Sequence, residues 1–277
     1  SREMKPDQNK THLSHTSEKA QSLRVTRCSH KSIGMQNEAS SSADWRRINK
    51  PTKKDQQETL TYNIFGKDVT IFQKEVQDIN TVGTILWDGG IVLAKYLERT
   101  HRENPKLLEN KKFLELGSGT GLLGITVGLL GYEIICTDCE CFDILNKNIA
   151  YNVPEPLLKH ISVKPLTWGQ PLPDNIDFNQ VDIILSSDLI YYNFLIEPLV
   201  STLAAICNSV KKSSGKSIPV WMTTQHHNEY CIQTFKKQAS VHFDFEDIPS
   251  STLDPQYQAD DILAWQLTLK ENSSDSS

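Results

Sequence analysis

The residues with the clearest chemical potential lie in Phe113-Leu114-Glu115-Leu116-Gly117-Ser118-Gly119-Thr120-Gly121-Leu122-Leu123-Gly124. A short apolar run ends on an acid and breaks into glycines, and an apolar, helix-compatible run follows from Leu122 to Leu130. Glycines in such a strand–turn–helix let the backbone take positive φ and approach a ligand, and the free N–H groups at the helix start then face it. This is the chemistry of a nucleotide-cofactor site. Gly119-x-Gly121-x-x-Gly124 fits the dinucleotide fingerprint, and Asp138 falls where a ribose-binding acid is expected. A tight turn with an incidental acid remains the plain alternative. Glu115 and the additional Gly117 extend the pattern to E-x-G-x-G-x-G and tilt it toward S-adenosylmethionine, with Asp138 able to take both ribose hydroxyls.

Other residues complete the constellation. Trp87 and Trp168 are candidates to pack on an adenine, with a core aromatic as the competing reading. Ser187-Asp188-Leu189-Ile190-Tyr191-Tyr192 follows an apolar strand. Asp188 could accept from an amine and Tyr191 could hold a cation over its ring, or Asp188 could merely cap the next helix. Cys139 is placed to line an adenine pocket, and His226 and His227 read as loop residues. No serine elbow or paired histidine suggests acyl chemistry. No metal site is expected, because Cys136, Cys139 and Cys141 lack a fourth ligand at zinc spacing.

The elements that must position these groups alternate from Lys112 onward. Strands are predicted at about 112–116, 132–137, 161–166, 181–186, 217–224, 240–246 and 262–269, and helices at about 121–130, 142–151, 193–209 and 228–239. A helical stripe from Asp88 to Leu97 precedes them, with residues 98–111 expected as a loop. Thr59–Ile64 and Asp68–Gln73 read as a β-hairpin. The expected fold is α/β: a Rossmann-like, seven-stranded, mostly parallel sheet with helices on both faces, an antiparallel final strand and an N-terminal hairpin. Residues 1–58 read as a disordered polar tail, 59–270 as the domain and 271–277 as a second tail.

Charge narrows the partners. The net charge of −5 divides into +5 over residues 1–58 and −10 over the remainder. An acidic domain argues against nucleic acid as the partner and would suit a basic protein segment. Six cysteines and no apolar run read as a leader or membrane span point to reduced thiols in the cytosol or nucleus, and a monomer is expected.

Together Trp87-Asp88-x-x-Ile91-Val92-Leu93-x-Lys95-Tyr96-Leu97, Glu115 to Gly121, Thr137-Asp138, Trp168-Gly169 and Asp188-x-x-Tyr191-Tyr192 resemble the seven-β-strand protein-lysine methyltransferases, and within them the methyltransferase-like 21 group, over about 59–270. The resemblance implies S-adenosylmethionine as cofactor and a protein lysine as acceptor. By position it places Trp87, Gly117, Ser118, Gly119, Asp138, Trp168 and Ser187 against the cofactor, and Asp188 and Tyr191 at the lysine channel. Ser187 stands where similar enzymes often carry alanine, and Leu189-Ile190 lacks the two prolines of amide and adenine methyltransferases. Phe243-Asp244-Phe245-Glu246-x-Ile248-Pro249, Tyr257 and Asp260-Asp261-Ile262 look most like the members that act on valosin-containing protein, a hexameric AAA ATPase. An Hsp70 chaperone is the alternative acceptor. A dinucleotide oxidoreductase, a small-molecule methyltransferase and a non-catalytic binding module are the rival readings.

Overall fold

A computed structural model describes residues 59–74 and 79–271, so the expected tails over 1–58 and 272–277 lie outside the described residues. The hairpin forms from β1 (Thr59–Ile64) and β2 (Lys67–Phe72). Phe65 and Gly66 between them have φ of 56° and 71°, the doubly left-handed turn that matches the strand twist. Leu60, Tyr62 and Ile64 alternate inward along β1.

A 16-residue helix, α1 (Asp88–Glu103), follows. It runs past the expected loop start at residue 98. Lys95 pairs with Glu98 at 2.7 Å, Arg99 pairs with Glu103 at 2.8 Å, and Thr100 is buried, so the helical spacing continues through polar residues. It stops at Asn104, which the next residue, Pro105, disfavours as helical.

The alternation then proceeds as β3 (Lys112–Leu116), α2 (Leu122–Leu129), β4 (Glu133–Asp138), α3 (Phe142–Asn152), a short α4 (Glu155–Leu158) that the sequence reading did not anticipate, β5 (Ile161–Pro165), β6 (Ile183–Ser187), α5 (Asn193–Ser214), β7 (Val220–Gln225), α6 (Glu229–Ala239), β8 (Phe243–Asp247) and β9 (Ile262–Leu269). The seven-stranded sheet has the order β5-β4-β3-β6-β7-β9-β8. Every neighbouring pair is parallel except those made by β9, which lies antiparallel between β7 and β8. The order changes direction at β3, whose neighbours are β4 and β6. In open α/β sheets the crevice at such a switch point, beyond the strands' carboxyl ends, is the usual ligand site.

Successive residues of β3 feed opposite faces. Phe113 packs with α1, α2 and the hairpin, whereas Leu114 and Leu116 pack with α5 and α6. Helix α5 is long and apolar enough to cross a membrane, contrary to the sequence expectation. Its Ile196, Leu199, Leu203, Ile206 and Val210 are buried against the sheet, as in a core helix.

Two asparagines dock the hairpin. Asn148 Oδ1 accepts the Phe72 N–H at 2.9 Å while its Nδ2 donates to Phe72 O at 3.0 Å, and Asn152 does the same with Thr70 at 2.7 and 2.9 Å. Four residues apart on α3, they stand in for a neighbouring strand along β2. Asn148 Nδ2 also donates to Thr120 O at 2.9 Å, which joins the hairpin to the glycine loop.

Candidate active site

The glycine loop is shaped by contacts that exclude side chains. Gly119 has φ of 50°, and a Cβ there would stand 2.8 Å from Gly83 O. Gly117 has φ of 62°, and its Cβ would stand 2.6 Å from Leu189 Cδ2 and 3.2 Å from Trp168 Cζ2. The loop is tied to β4 by Ser118 N–H to Thr137 O at 2.9 Å and by Gly119 N–H to Asp138 Oδ2 at 2.9 Å.

Asp138 is therefore partly committed. Its Oδ1 accepts the N–H groups of Cys139, Glu140 and Cys141 at 2.8, 3.1 and 3.2 Å, which fixes the turn that leads into α3. Oδ2, with one donor against three on Oδ1, is the oxygen with more capacity left for a ligand hydroxyl, which narrows the expectation that both oxygens serve a ribose. Exposed Glu140 lines the same space two residues on, a carboxylate the sequence reading passed over. Glu115 is 2% exposed, and its Oε2 has no hydrogen-bond partner. Burial pushes its carboxyl up to about 8, although Ser118, Cys136 and the Gly124 N–H favour the ionised form.

These groups line a cavity of about 240 Å³ at the carboxyl ends of β3, β4 and β6. All ten residues singled out in the sequence meet there: Trp87, Glu115, Gly117, Ser118, Gly119, Asp138, Trp168, Ser187, Asp188 and Tyr191. Its lining holds four carboxyl groups (Glu115, Asp138, Glu140, Asp188) and five large aromatic rings (Trp87, Trp168, Tyr191, Tyr192, Phe194), with no Lys, Arg or His among the described residues.

Asp188 has the left-handed φ of 54°, unusual for a residue with a side chain. Its N–H donates to Thr223 O at 2.9 Å, its Oδ2 accepts the Gly89 N–H at 2.6 Å, and its Oδ1 accepts the Gln225 N–H at 2.6 Å. Thr223 Oγ1 closes the ring by donating to Gly89 O at 2.9 Å. The acid does cap a helix, but it caps α1, not the helix that follows it. Burial raises its carboxyl to about 6 against the opposing pull of the amide donors. Burial likewise drives the Tyr191 phenol up to about 12, helped by Cys139 and Asp138, so it stays protonated. The Tyr191 ring meets Tyr192 edge-on at 4.9 Å. His226 binds Glu229, and His227 sets its ring against Trp87 at 5.7 Å, so one of the two loop histidines supports the cavity wall. Among the described residues, no group of three or more His, Cys, Asp or Glu is arranged to hold a metal ion.

Thr223, Gln225 and Asn148 also escaped the sequence reading. Their roles depend on backbone groups some thirty to 134 residues away, for which no local pattern exists.

Comparison with known families bears on this arrangement. The sequence profile described as lysine methyltransferase matches residues 66–238, more than half of the chain. The chain belongs to this lysine methyltransferase family. The region of family likeness contains every residue of the cavity and stops before β8 and β9. Relatives include the protein N-lysine methyltransferase METTL21A of Xenopus tropicalis, 36% identical over 122 residues, which cover 44% of this chain and 54% of that protein. METTL21A of Mus musculus is 36% identical over 129 residues, covering 46% and 57%. The protein-lysine methyltransferase METTL21E of Mus musculus is 32% identical over 175 residues, covering 61% and 66%. The chain thus spans little more than half the length of the METTL21A relatives that it matches.

Proposed function

We propose that this lysine methyltransferase family member transfers methyl groups from S-adenosylmethionine to a lysine of a protein substrate. The observation that carries the reading is the cavity's composition: four carboxyl groups, five aromatic rings and, among the described residues, no cationic side chain. Such a lining favours cationic ligands. A dinucleotide would bring its pyrophosphate into this acidic space, where no Lys or Arg among the described lining residues meets it, which disfavours the oxidoreductase reading. The orphaned Glu115 Oε2 and the glycine cradle fit a compact ligand with a donor group and a backbone-hugging ribose. The names of the METTL21A and METTL21E relatives support lysine in a protein as the acceptor.

S-adenosylmethionine, when bound, supplies an electrophilic methyl on a sulfonium. Glu115, Gly117, Ser118, Gly119, Asp138, Trp87, Trp168 and Ser187 would hold it. Asp188 and Tyr191 serve the acceptor. A lysine amine with an ordinary pKa of about 10.4 must lose its proton before it can attack, at a cost of roughly 4 kcal/mol at pH 7.4. The aromatic wall of Tyr191 and Tyr192 desolvates the ammonium and lowers that cost, and the proton leaves to solvent. Asp188 accepts an N–H of the amine and orients its lone pair. With a carboxyl near 6 it is a positioning group and a weak base.

The proposed acceptor is valosin-containing protein, on the likeness of Phe243–Pro249, Tyr257 and Asp260–Ile262 noted above, with an Hsp70 chaperone as the alternative. A reducing cytosolic or nuclear setting goes with either. The test is calorimetry with S-adenosylmethionine and with NAD, followed by labelled-methyl transfer to each purified acceptor. Binding of the sulfonium alone and label on valosin-containing protein are expected. NAD binding would overturn the cofactor, and label on an Hsp70 only would overturn the acceptor.

A further inference from the structure

The cavity opens among exposed rings. Phe194, the second residue of α5, is 61% exposed and stacks on Tyr192 with centroids 5.5 Å apart and planes 12° apart. Both line the cavity. The first turn of α6 adjoins this corner, where Cys231 Sγ reaches Tyr191 O at 3.8 Å, and it presents Tyr230 at 66% exposure. Large rings left in water beside a cavity mouth mark a contact surface.

The charge around them is one-sided. The connections at the carboxyl ends of the parallel strands (117–121, 139–141, 166–182, 188–192 and 226–228), together with 248–261 leading back into β9, contain no Lys or Arg. They and the adjoining helix turns hold exposed Glu140, Asp174, Glu197, Glu229 and Asp260. The opposite end of the sheet mixes both signs, with Lys111, Lys159, Lys211, Lys212 and Lys216 beside Glu109, Glu133 and Asp182. Glu197 lies three residues after Phe194 on α5, and so on the same face, and Glu229 directly precedes Tyr230.

We propose that this mouth docks a basic segment of the acceptor protein, with Arg or Lys side chains beside the target lysine laid over Phe194 and Tyr230 and matched by the surrounding acids. A guanidinium or ammonium is attracted to a ring face, its apolar stem covers the ring, and the acidic rim raises the encounter rate and fixes the sign of the partner. The proposal rests on the reading of the acceptor as protein lysine and adds its sequence surroundings.

The test compares two fluorescent peptides of equal length, each with one central lysine, one flanked by arginines and one by glutamates. Binding to the full chain is followed by anisotropy at low and physiological salt. The arginine-flanked peptide is expected to bind about tenfold tighter or more, with the margin shrinking as salt rises. Phe194→Ala and the double variant Glu197→Lys/Glu229→Lys, all exposed positions, should each remove most of that margin. Equal binding of both peptides, or a preference that survives both variants, overturns the proposal. So does self-association of the chain that Phe194→Ala abolishes, which would give this face to a second copy. Methyl transfer separates the two claims. Equal methylation of both peptides would leave the lysine reading and remove the docking surface. Phe194-dependent binding of the arginine-flanked peptide, with no transfer to any protein, would do the reverse.

Discussion

The carboxylate of Asp188 holds the backbone N–H of Gly89 at 2.6 Å, across 99 residues of chain. The cavity acid that we propose orients the acceptor amine is thus also the fastener that sets the first turn of α1, and with it Trp87, against the sheet. A Cβ at position 89 would lie 2.5 Å from that same oxygen, which explains glycine there. The proposed catalytic placement and the folding thus depend on one side chain.

Replacing Asp188 should therefore have two effects. Asp188→Ala is expected to abolish methyl transfer while S-adenosylmethionine still binds, and to lower stability by about 1–3 kcal/mol through the unsatisfied Gly89 and Gln225 amides. Asp188→Asn keeps one acceptor and should fold better while remaining inactive. Turnover assays, calorimetry and denaturant titration of the two variants separate these effects. Unchanged turnover in either contradicts the assignment.

Thr223 is expected to act through Gly89. Thr223→Val keeps the shape and removes the hydroxyl that binds Gly89 O, at about 1 kcal/mol. The kcat should fall several-fold with little change in cofactor Kd, and Thr223→Ser should restore it. Equal kinetics in Val and Ser variants would show that the hydroxyl is idle.

The free protein should lose stability as pH rises. The folded chain holds the Glu115 proton up to about 8, whereas an unfolded Glu releases it near 4.5. Between these values the folded state binds more protons, so its advantage, full below pH 4.5, declines through pH 8. Asp188, raised from 3.8 to about 6, adds to the acid half of that decline. Denaturation midpoints measured across this range should slope downward, and Glu115→Gln should flatten the slope.

The glycine loop is expected to tolerate no methyl group at Gly119. Gly119→Ala combines a left-handed φ with a backbone clash at Gly83 O, and a loss of about 1–3 kcal/mol follows. Cofactor affinity measured by calorimetry should collapse. Wild-type affinity in this variant would place the ligand elsewhere.

Asn148→Ala should loosen the hairpin from the loop. It leaves the Phe72 N–H, Phe72 O and Thr120 O without their partner, for about 3 kcal/mol. Hydrogen exchange should accelerate in β2 first, and uniform acceleration across the domain would argue against a local clasp.

Much of this site was legible in the sequence because it is local. The run from Glu115 to Gly124 carries its turn and helix start in adjacent residues, and strand-end acids such as Asp138 and Asp188 can be read against predicted strand ends. What escaped is made of distant pairings. The insertion of β9 between β7 and β8 depends on a register that no local period records. Helix α1 outlasts its apolar stripe because ion pairs extend it, and Asp188 caps a helix a hundred residues upstream instead of its own successor. Asp138 shows the converse: its position was readable, but its three amide partners, which limit what it can offer a ribose, were not.

The most direct test of the central claim is the chemical identity of the methylated product. Full-length protein, methyl-labelled S-adenosylmethionine and valosin-containing protein would be incubated, and the acceptor hydrolysed to amino acids. Label is expected on Nε-methylated lysine, and none with Asp188→Asn. Label on any other amino acid, or on lysine at equal rates with that variant, would contradict it.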